Sequence, residues 1–187
     1  MLTINSAAST PIFKFEKGLL SNSHGSGSFA IGKTKSICSI FGPVETKPNE
    51  EISGKAALKV VVISDKNIQA IEGKQESDIK HIIEAILLHS LNEAVKYKFS
   101  LYNSNAQKLS VATAINSCSI ALVDAGIPIK SIFTASCCCI TEDSTIIPFP
   151  SDEQIENSVS FHNFAFIGES CDLPIFSNST GKFTKHE

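Results

Sequence analysis

Residues 27–34 read Gly-Ser-Phe-Ala-Ile-Gly-Lys-Thr and fit the phosphate-binding loop pattern G-x-x-x-x-G-K-[ST] at every required position. A genuine phosphate-binding loop would fix the whole fold, because it needs a buried strand before the loop and a helix that begins at the lysine. Neither flank meets this requirement. Residues 21–28 are polar and typical of turns, and the short-spaced apolar residues of 35–41 are typical of a strand.

A β-hairpin describes the same segment better. We predict strands over Ser28–Ile31 and Thr34–Phe41, a tight turn at Gly32-Lys33, and an end to the second strand at Gly42-Pro43. A nucleotide hydrolase with a phosphate-binding loop stays open as an alternative, and a helix beginning at Lys33 would favour it.

The spacing of apolar residues predicts two helices and several further strands. The first helix is predicted to have Ser77 as its cap and an apolar stripe that runs from Ile79 to Val95. The second is predicted over 109–125 and ended by Gly126, with small residues spread around its axis. Further strands are predicted over 55–64, 96–102, 131–141, 144–149 and 159–167. Helices gathered on one side of a mixed sheet define an α+β domain.

Composition excludes several classes of protein. All 16 basic residues are lysine and the formal net charge is −3, whereas strong phosphate recognition favours arginine. The sequence has neither a run of 18 apolar residues nor a secretory signal over residues 1–10, so we expect no membrane contact. The six cysteines show no Cys-x-x-Cys spacing and Cys137–Cys139 are adjacent, so we expect buried free thiols and no metal site.

Three segments together resemble the ribonuclease PH-like subunits of the eukaryotic RNA exosome ring. They are the hairpin region 27–51, the helix 114–128 that ends Ala-Leu-Val-Asp-Ala-Gly-Ile-Pro, and the segment 150–160. The likeness runs in the same order over roughly residues 18–183. It implies a ribonuclease PH-type fold with a mixed β-sheet, two main helices and the β-α-β-α core of the ribosomal-protein-like superfamily.

The resemblance also implies where a phosphorolytic site would lie. Active members hold inorganic phosphate with a Gly-Gly-Thr-Arg turn at the start of the second helix, and the corresponding residues here are Lys108-Leu-Ser-Val111. The arginines of the first helix correspond to His81 and Ala85, and Pro148-Phe-Pro150 stands where active members carry an aspartate. Removing one preorganised group can slow a reaction about 10²–10³-fold, so the resemblance implies an inactive subunit.

Three carboxylates lie near this place, but not at the spacing of the family. We expect Asp152, Glu153 and Glu156 to be surface carboxylates at a turn that leads from a loop into a helix. We assign no catalytic residue, no metal and no cofactor.

The resemblance implies a noncatalytic ring subunit that supports 3′-to-5′ processing and degradation of ribosomal, small nuclear, small nucleolar and messenger RNA by assembly and RNA channelling. Expected partners are other ribonuclease PH-like ring subunits, cap subunits and single-stranded RNA, in the nucleus, nucleolus and cytoplasm. The candidate RNA contacts are Lys33, Lys35, Lys47 and Lys108. An active phosphate-dependent 3′–5′ exoribonuclease stays an alternative.

We expect residues 1–187 to form one ribonuclease PH-like domain. Residues 1–17 are expected to be irregular, and the long C-terminal helix of the family is expected to be absent.

Overall fold

The predicted hairpin lies at the centre of the first of two sheets. The computed structural model describes residues 3–4, 12–45, 47, 56–64, 69–86, 95–104, 110–168 and 173–183. In it, β3 (Gly25–Ile31) and β4 (Thr34–Glu45) pair antiparallel around Gly32-Lys33. The hairpin prediction is therefore confirmed. The alternative interpretation of this segment as a phosphate-binding loop is wrong, because no helix begins at Lys33.

The first sheet has the order β2-β3-β4-β6-β5. Its other strands are β2 (Phe13–Lys17), β5 (Ala57–Ser64) and β6 (Val95–Ser104), and β5 alone runs parallel to its neighbour, β6. Two expectations were wrong here. Phe13–Lys17 is a strand and not irregular, and β4 continues past Gly42-Pro43, because an irregularity between Phe41 and Val44 lets its pairing with β6 resume.

The second sheet has the order β1-β8-β7-β9-β10. Its strands are β1 (Thr3–Ile4), β7 (Phe133–Ile140), β8 (Thr145–Pro148), β9 (Ser160–Ile167) and β10 (Phe176–Gly181). The pair β1–β8 is parallel and the others are antiparallel. The α+β class is confirmed, and the strands are divided between two mixed sheets and not gathered in one.

Three helices accompany the sheets in the described part of the chain: α1 (Gln69–Ile86), α2 (Ser110–Asp124) and the short α3 (Asp152–Glu156). Helix α2 packs on β3 and β4 of the first sheet and on β7 and β9 of the second, so it lies between the sheets, and α1 packs on β5. The predicted second helix and the buried positions of its small residues are confirmed.

The first helix begins earlier than predicted. Ser77 lies inside α1, because residues 69–76 contain glutamine, alanine, glutamate and lysine, which favour helix, and these outweigh the capping signal. Ile79, Ile82 and Ile83 are buried as expected. The predicted stripe was wrong at its end, since Val95 belongs to β6; residues 87–94 lie outside the described part.

Glycines allow α2 to approach β3 closely. A Cβ atom added to Gly27 would lie 2.7 Å from the backbone nitrogen of Ala121, and one added to Gly25 would lie 2.5 Å from the backbone nitrogen of Ala125. The backbone of Ser26, between them, donates a hydrogen bond to Asp124 Oδ2 over 3.0 Å. The end of α2 is thus held directly against the strand.

On its other side α2 completes the hydrogen bonding of β7. Asn116 donates through Nδ2 to the carbonyl of Ala135 at 2.9 Å and accepts through Oδ1 from the Ala135 N–H at 2.8 Å. Strand β8 pairs with β7 only from Cys138 to Ile140 among the described residues. Asn116 therefore satisfies backbone groups that the shorter strand does not reach.

Candidate functional site

A cavity of about 360 Å³ lies beside the turn of the first hairpin. Its walls are formed by residues 31–34 on one side and 149–154 on the other. The start of α2 lies close by, because Thr113 Oγ1 and Ser36 Oγ are 2.7 Å apart in a buried hydrogen bond. The structure thus brings Lys33 together with the Pro-Phe-Pro segment and the acidic residues that follow it.

The glycines of the apparent phosphate-binding loop have structural explanations. Gly32 has φ of 58°, a left-handed conformation that the two-residue turn requires and that glycine adopts without strain. Gly27 allows the close approach of α2. Lys33 is exposed at the tip of the turn.

Asp152 and Glu153 begin α3, as expected for a turn that leads into a helix, whereas Glu156 is exposed at the end of the same helix. Ser151 caps the helix: its backbone N–H donates to Gln154 Oε1 at 2.8 Å, and its Oγ accepts from the Gln154 N–H at 3.4 Å. Asp152 and Glu153 occupy the first turn, where negative charge is favourable. Across the described ranges no group of three or more His, Cys, Asp or Glu side chains is arranged to hold a metal ion.

Phe149 occupies the centre of Pro148-Phe-Pro150, the segment for which the resemblance implies the place of an aspartate in active members. Its φ is 48°, in the left-handed region, although it is a bulky residue that precedes a proline. Such a conformation costs about 1–3 kcal/mol and persists only where the surroundings hold it. Here the Phe149 N–H donates to the Cys137 carbonyl at 2.9 Å, and its ring meets that of Phe13 edge-on at 5.0 Å.

The structure separates the candidate RNA-binding lysines. Lys33 and Lys35 lie at the turn end of the hairpin, where Lys35 Nζ is 3.9 Å from Glu16 Oε2. Lys47 is exposed beyond the other end of β4, about 35 Å away by the usual rise of a strand. Lys108 lies outside the described residues. Lys33 and Lys47 therefore cannot belong to one small patch.

Three residues that the resemblance places at arginine positions of active members, Val111, His81 and Ala85, lie on α2 and α1. Val111 is buried in the first turn of α2, whereas His81 and Ala85 face solvent on α1. The buried histidine lies elsewhere. His162 on β9 uses Nε2 toward Ser160 Oγ at 2.9 Å and Nδ1 toward Ser179 Oγ at 2.8 Å.

The five cysteines that the structure describes are free. Cys138 is half-buried and the other four, at positions 38, 118, 137 and 139, are buried; Cys171 lies outside the described part. Burial, with a smaller contribution from Cys138 and Cys139, raises the pKa of Cys137 to about 12, and burial raises the pKa of Cys139 to about 11. Burial also raises the pKa of Cys38, beside Cys118. These thiols stay protonated at neutral pH, as packing residues do.

An apolar groove of about 500 Å³ lies between β2, α2 and β7, and the sequence analysis missed it. Phe13 and Phe15 of β2, Phe29 of β3 and Phe149 form its aromatic walls. The alternation of Phe13 and Phe15 with Lys14 and Glu16 is a signal of a strand with one apolar face, and it could have revealed this surface.

Comparison with known proteins identifies the class of this fold and site. The sequence profile described as 3′ exoribonuclease family, domain 1, matches residues 13–128. This chain belongs to that family.

Individual relatives and a solved structure agree with this result. The chain is 27% identical over 151 residues to the Exosome complex exonuclease RRP46 homolog of Arabidopsis thaliana, with 80% of this chain and 63% of that protein covered. It is 28% identical over 159 residues to the Exosome complex component RRP46 of Saccharomyces cerevisiae, with 80% and 71% covered. The crystal structure of rice (Oryza sativa) Rrp46 superposes with a TM-score of 0.84 at 25% identity, covering 95% of this chain and 84% of that chain.

The chain therefore spans just under two thirds of the length of the Arabidopsis relative. Among the helices that the structure describes, none has the length and apolar character needed to cross a lipid bilayer.

Proposed function

We propose that this chain is a noncatalytic subunit of an RNA exosome ring. Its relatives in Arabidopsis and yeast are named as exosome proteins, and 95% of this chain superposes on the fold of rice Rrp46. In this role the chain contributes interfaces and part of the wall along which single-stranded RNA passes. It works beside other ribonuclease PH-like ring subunits and cap subunits, in the nucleus, the nucleolus and the cytoplasm.

The replaced phosphate-handling groups carry the noncatalytic part of the proposal. Val111 is a buried aliphatic residue in the first turn of α2, and Phe149 presents a ring and no carboxylate beside the cavity. Phosphorolysis requires groups that stabilise the negative charge of phosphate and of the transition state. Lys33 at the rim is a point charge on a flexible stem and does not replace a bidentate guanidinium.

RNA contact is proposed at Lys33 and Lys35, with Lys47 and Lys108 as weaker candidates. The first two lie two residues apart at the turn end of the hairpin, where Lys33 is exposed and Lys35 Nζ is 3.9 Å from Glu16 Oε2. Lysine contacts to phosphate release counterions, so their contribution falls as salt rises.

The test uses the chain co-expressed with the other ribonuclease PH-like ring subunits of the same genome. We expect it to be recovered in a stoichiometric ring, and the purified chain to release no nucleoside diphosphate from RNA in phosphate buffer. An established active family member serves as the positive control. Phosphate-dependent release by the chain alone would contradict the noncatalytic role, and its absence from every recovered ring would contradict the structural role.

A further inference from the structure

The exposed strand β2 and the apolar groove beside it form a continuous surface that faces away from the core. Phe15 is 72% exposed and Ile132, across the groove, is 60% exposed. Phe13 is also exposed, and the groove continues inward to Ile120 of α2 and to Phe149. Large contiguous apolar surfaces of this kind mark interaction sites.

The backbone of β2 also has an unused edge in the described part of the chain. The Gly18 N–H donates to the Ser26 carbonyl at 3.0 Å, and the Gly32 N–H donates to the Ile12 carbonyl at 3.5 Å. Because hydrogen bonding alternates along an antiparallel strand, residues of even number bond to β3. The N–H and C=O groups of Phe13, Phe15 and Lys17 therefore point away from β3, and no described strand pairs with them.

The chemistry of the groove selects the class of its occupant. None of the described residues that line it has an ionisable side chain, so these residues offer nothing to neutralise the phosphates of a nucleic acid. Aromatic walls suit the apolar anchor side chains that dominate protein interfaces. The adjacent row of unpaired backbone groups suits an extended segment that adds a strand to the sheet.

We propose that β2 and this groove bind an edge strand of a neighbouring protein subunit, with apolar side chains at alternate positions of that strand inserted beside Phe13 and Phe15. The partner strand takes its hydrogen bonds from Phe13, Phe15 and Lys17 and extends the sheet β2-β3-β4-β6-β5. This proposal rests on the proposed ring function and assigns the surface through which the chain joins its neighbour.

The main test compares two substitutions at equally exposed apolar residues. Phe15→Asp places a charge in the groove, whereas Leu173→Asp, at a residue that is 82% exposed and does not line the groove, is the matched control. Each chain is co-expressed with the other ribonuclease PH-like ring subunits of the same genome. We expect Phe15→Asp to lower their recovery at least tenfold, and Leu173→Asp to change it less than twofold.

A second variant tests the added strand. Lys17→Pro removes an outward N–H and leaves the β3 hydrogen bonds in place, so we expect recovery to fall at least fivefold while the thermal unfolding midpoint stays within a few degrees. A photo-crosslinking phenylalanine analogue at position 15 should attach to an extended edge segment of one ring subunit.

Three results would overturn the proposal. The first is normal ring assembly by a folded Phe15→Asp chain. The second is a result in which the isolated chain self-associates in sedimentation experiments and Phe15→Asp abolishes this self-association. The groove would then bind a second copy of this chain. The third is binding of single-stranded RNA that falls with Phe15→Asp alone. Failure of the proposed function is distinct, since the unsubstituted chain would then join no ring.

Discussion

Helix α2 meets the rest of the molecule in two contrasting ways. Against β3 its backbone is so close that Gly27 has no room for a methyl group, and Ser26 bonds directly to Asp124. Toward β2 and β7 it leaves a groove of about 500 Å³ with exposed aromatic walls. Stability depends on the first contact, and the second is a surface available to another molecule. Substitutions should therefore affect folding on one side and association on the other.

The largest effect should come from Gly27→Ala. The added Cβ would lie 2.7 Å from the Ala121 backbone nitrogen, so strand or helix must move, and we expect the free energy of unfolding to fall by about 3 kcal/mol. Gly32→Ala is the control: that position is open but has φ of 58°, and the expected loss is about 1 kcal/mol. Denaturant unfolding measures both. If both substitutions lowered the free energy of unfolding equally, the close packing of β3 on α2 would not be the reason for glycine at position 27.

The next effect concerns the polar link between α2 and β7. Asn116→Ala leaves the Ala135 N–H and carbonyl without their side-chain partner, and we expect a loss of about 2 kcal/mol in the free energy of unfolding. Ser119→Ala, on the same helix and also beside the groove, should cost less than about 0.5 kcal/mol. A small effect at Asn116 would show that water replaces its hydrogen bonds and that the groove admits solvent to β7.

Alkaline pH should weaken the folded state through the buried thiols. Their folded pKa values, about 12 for Cys137 and about 11 for Cys139, exceed the ordinary value of 9.0. Below pH 9 both states hold the proton and stability is unchanged; above it the unfolded chain loses protons first. The free energy of unfolding should then fall by up to about 1.4 kcal/mol per pH unit for each thiol.

Denaturant unfolding at pH 8 to 10.5 measures this slope, and Cys137→Ala should reduce it. Alkylation adds a comparison within one strand: half-buried Cys138 should react before Cys137 and Cys139. A slope unchanged by Cys137→Ala would contradict the assignment of the pH effect to that thiol.

The smallest effect is expected for the exposed lysines. In a reconstituted ring, Lys33→Glu should weaken binding of single-stranded RNA about two- to threefold at low salt, and Lys47→Glu, at the far end of β4, should weaken it less. Nucleotide binding should not depend on Lys33, since that residue lies in a hairpin turn. Equal RNA effects at both lysines would argue against a contact centred on the hairpin turn.

Much of the secondary structure followed from local pattern. The hairpin, α2 and the buried face of β6 (Tyr97, Phe99 and Leu101) were predictable because each has a strong period and clear end signals. The start of α1 was not, because a capping residue inside a helix looks the same in sequence as one at its end. Strand β2 was missed although Phe13 and Phe15 alternate with polar residues, because a pattern of five residues is weak until its pairing with β3 is known.

The sequence by itself determined the family and the thiol chemistry, because these depend on which residues are present and in what order. Tertiary structure alone decided that the motif glycine at 27 serves helix packing and that Phe149 joins a cavity to an aromatic groove. Each of these facts depends on distances between segments remote in the chain. Such distances are set by how the two sheets close around α2, which local spacing does not encode.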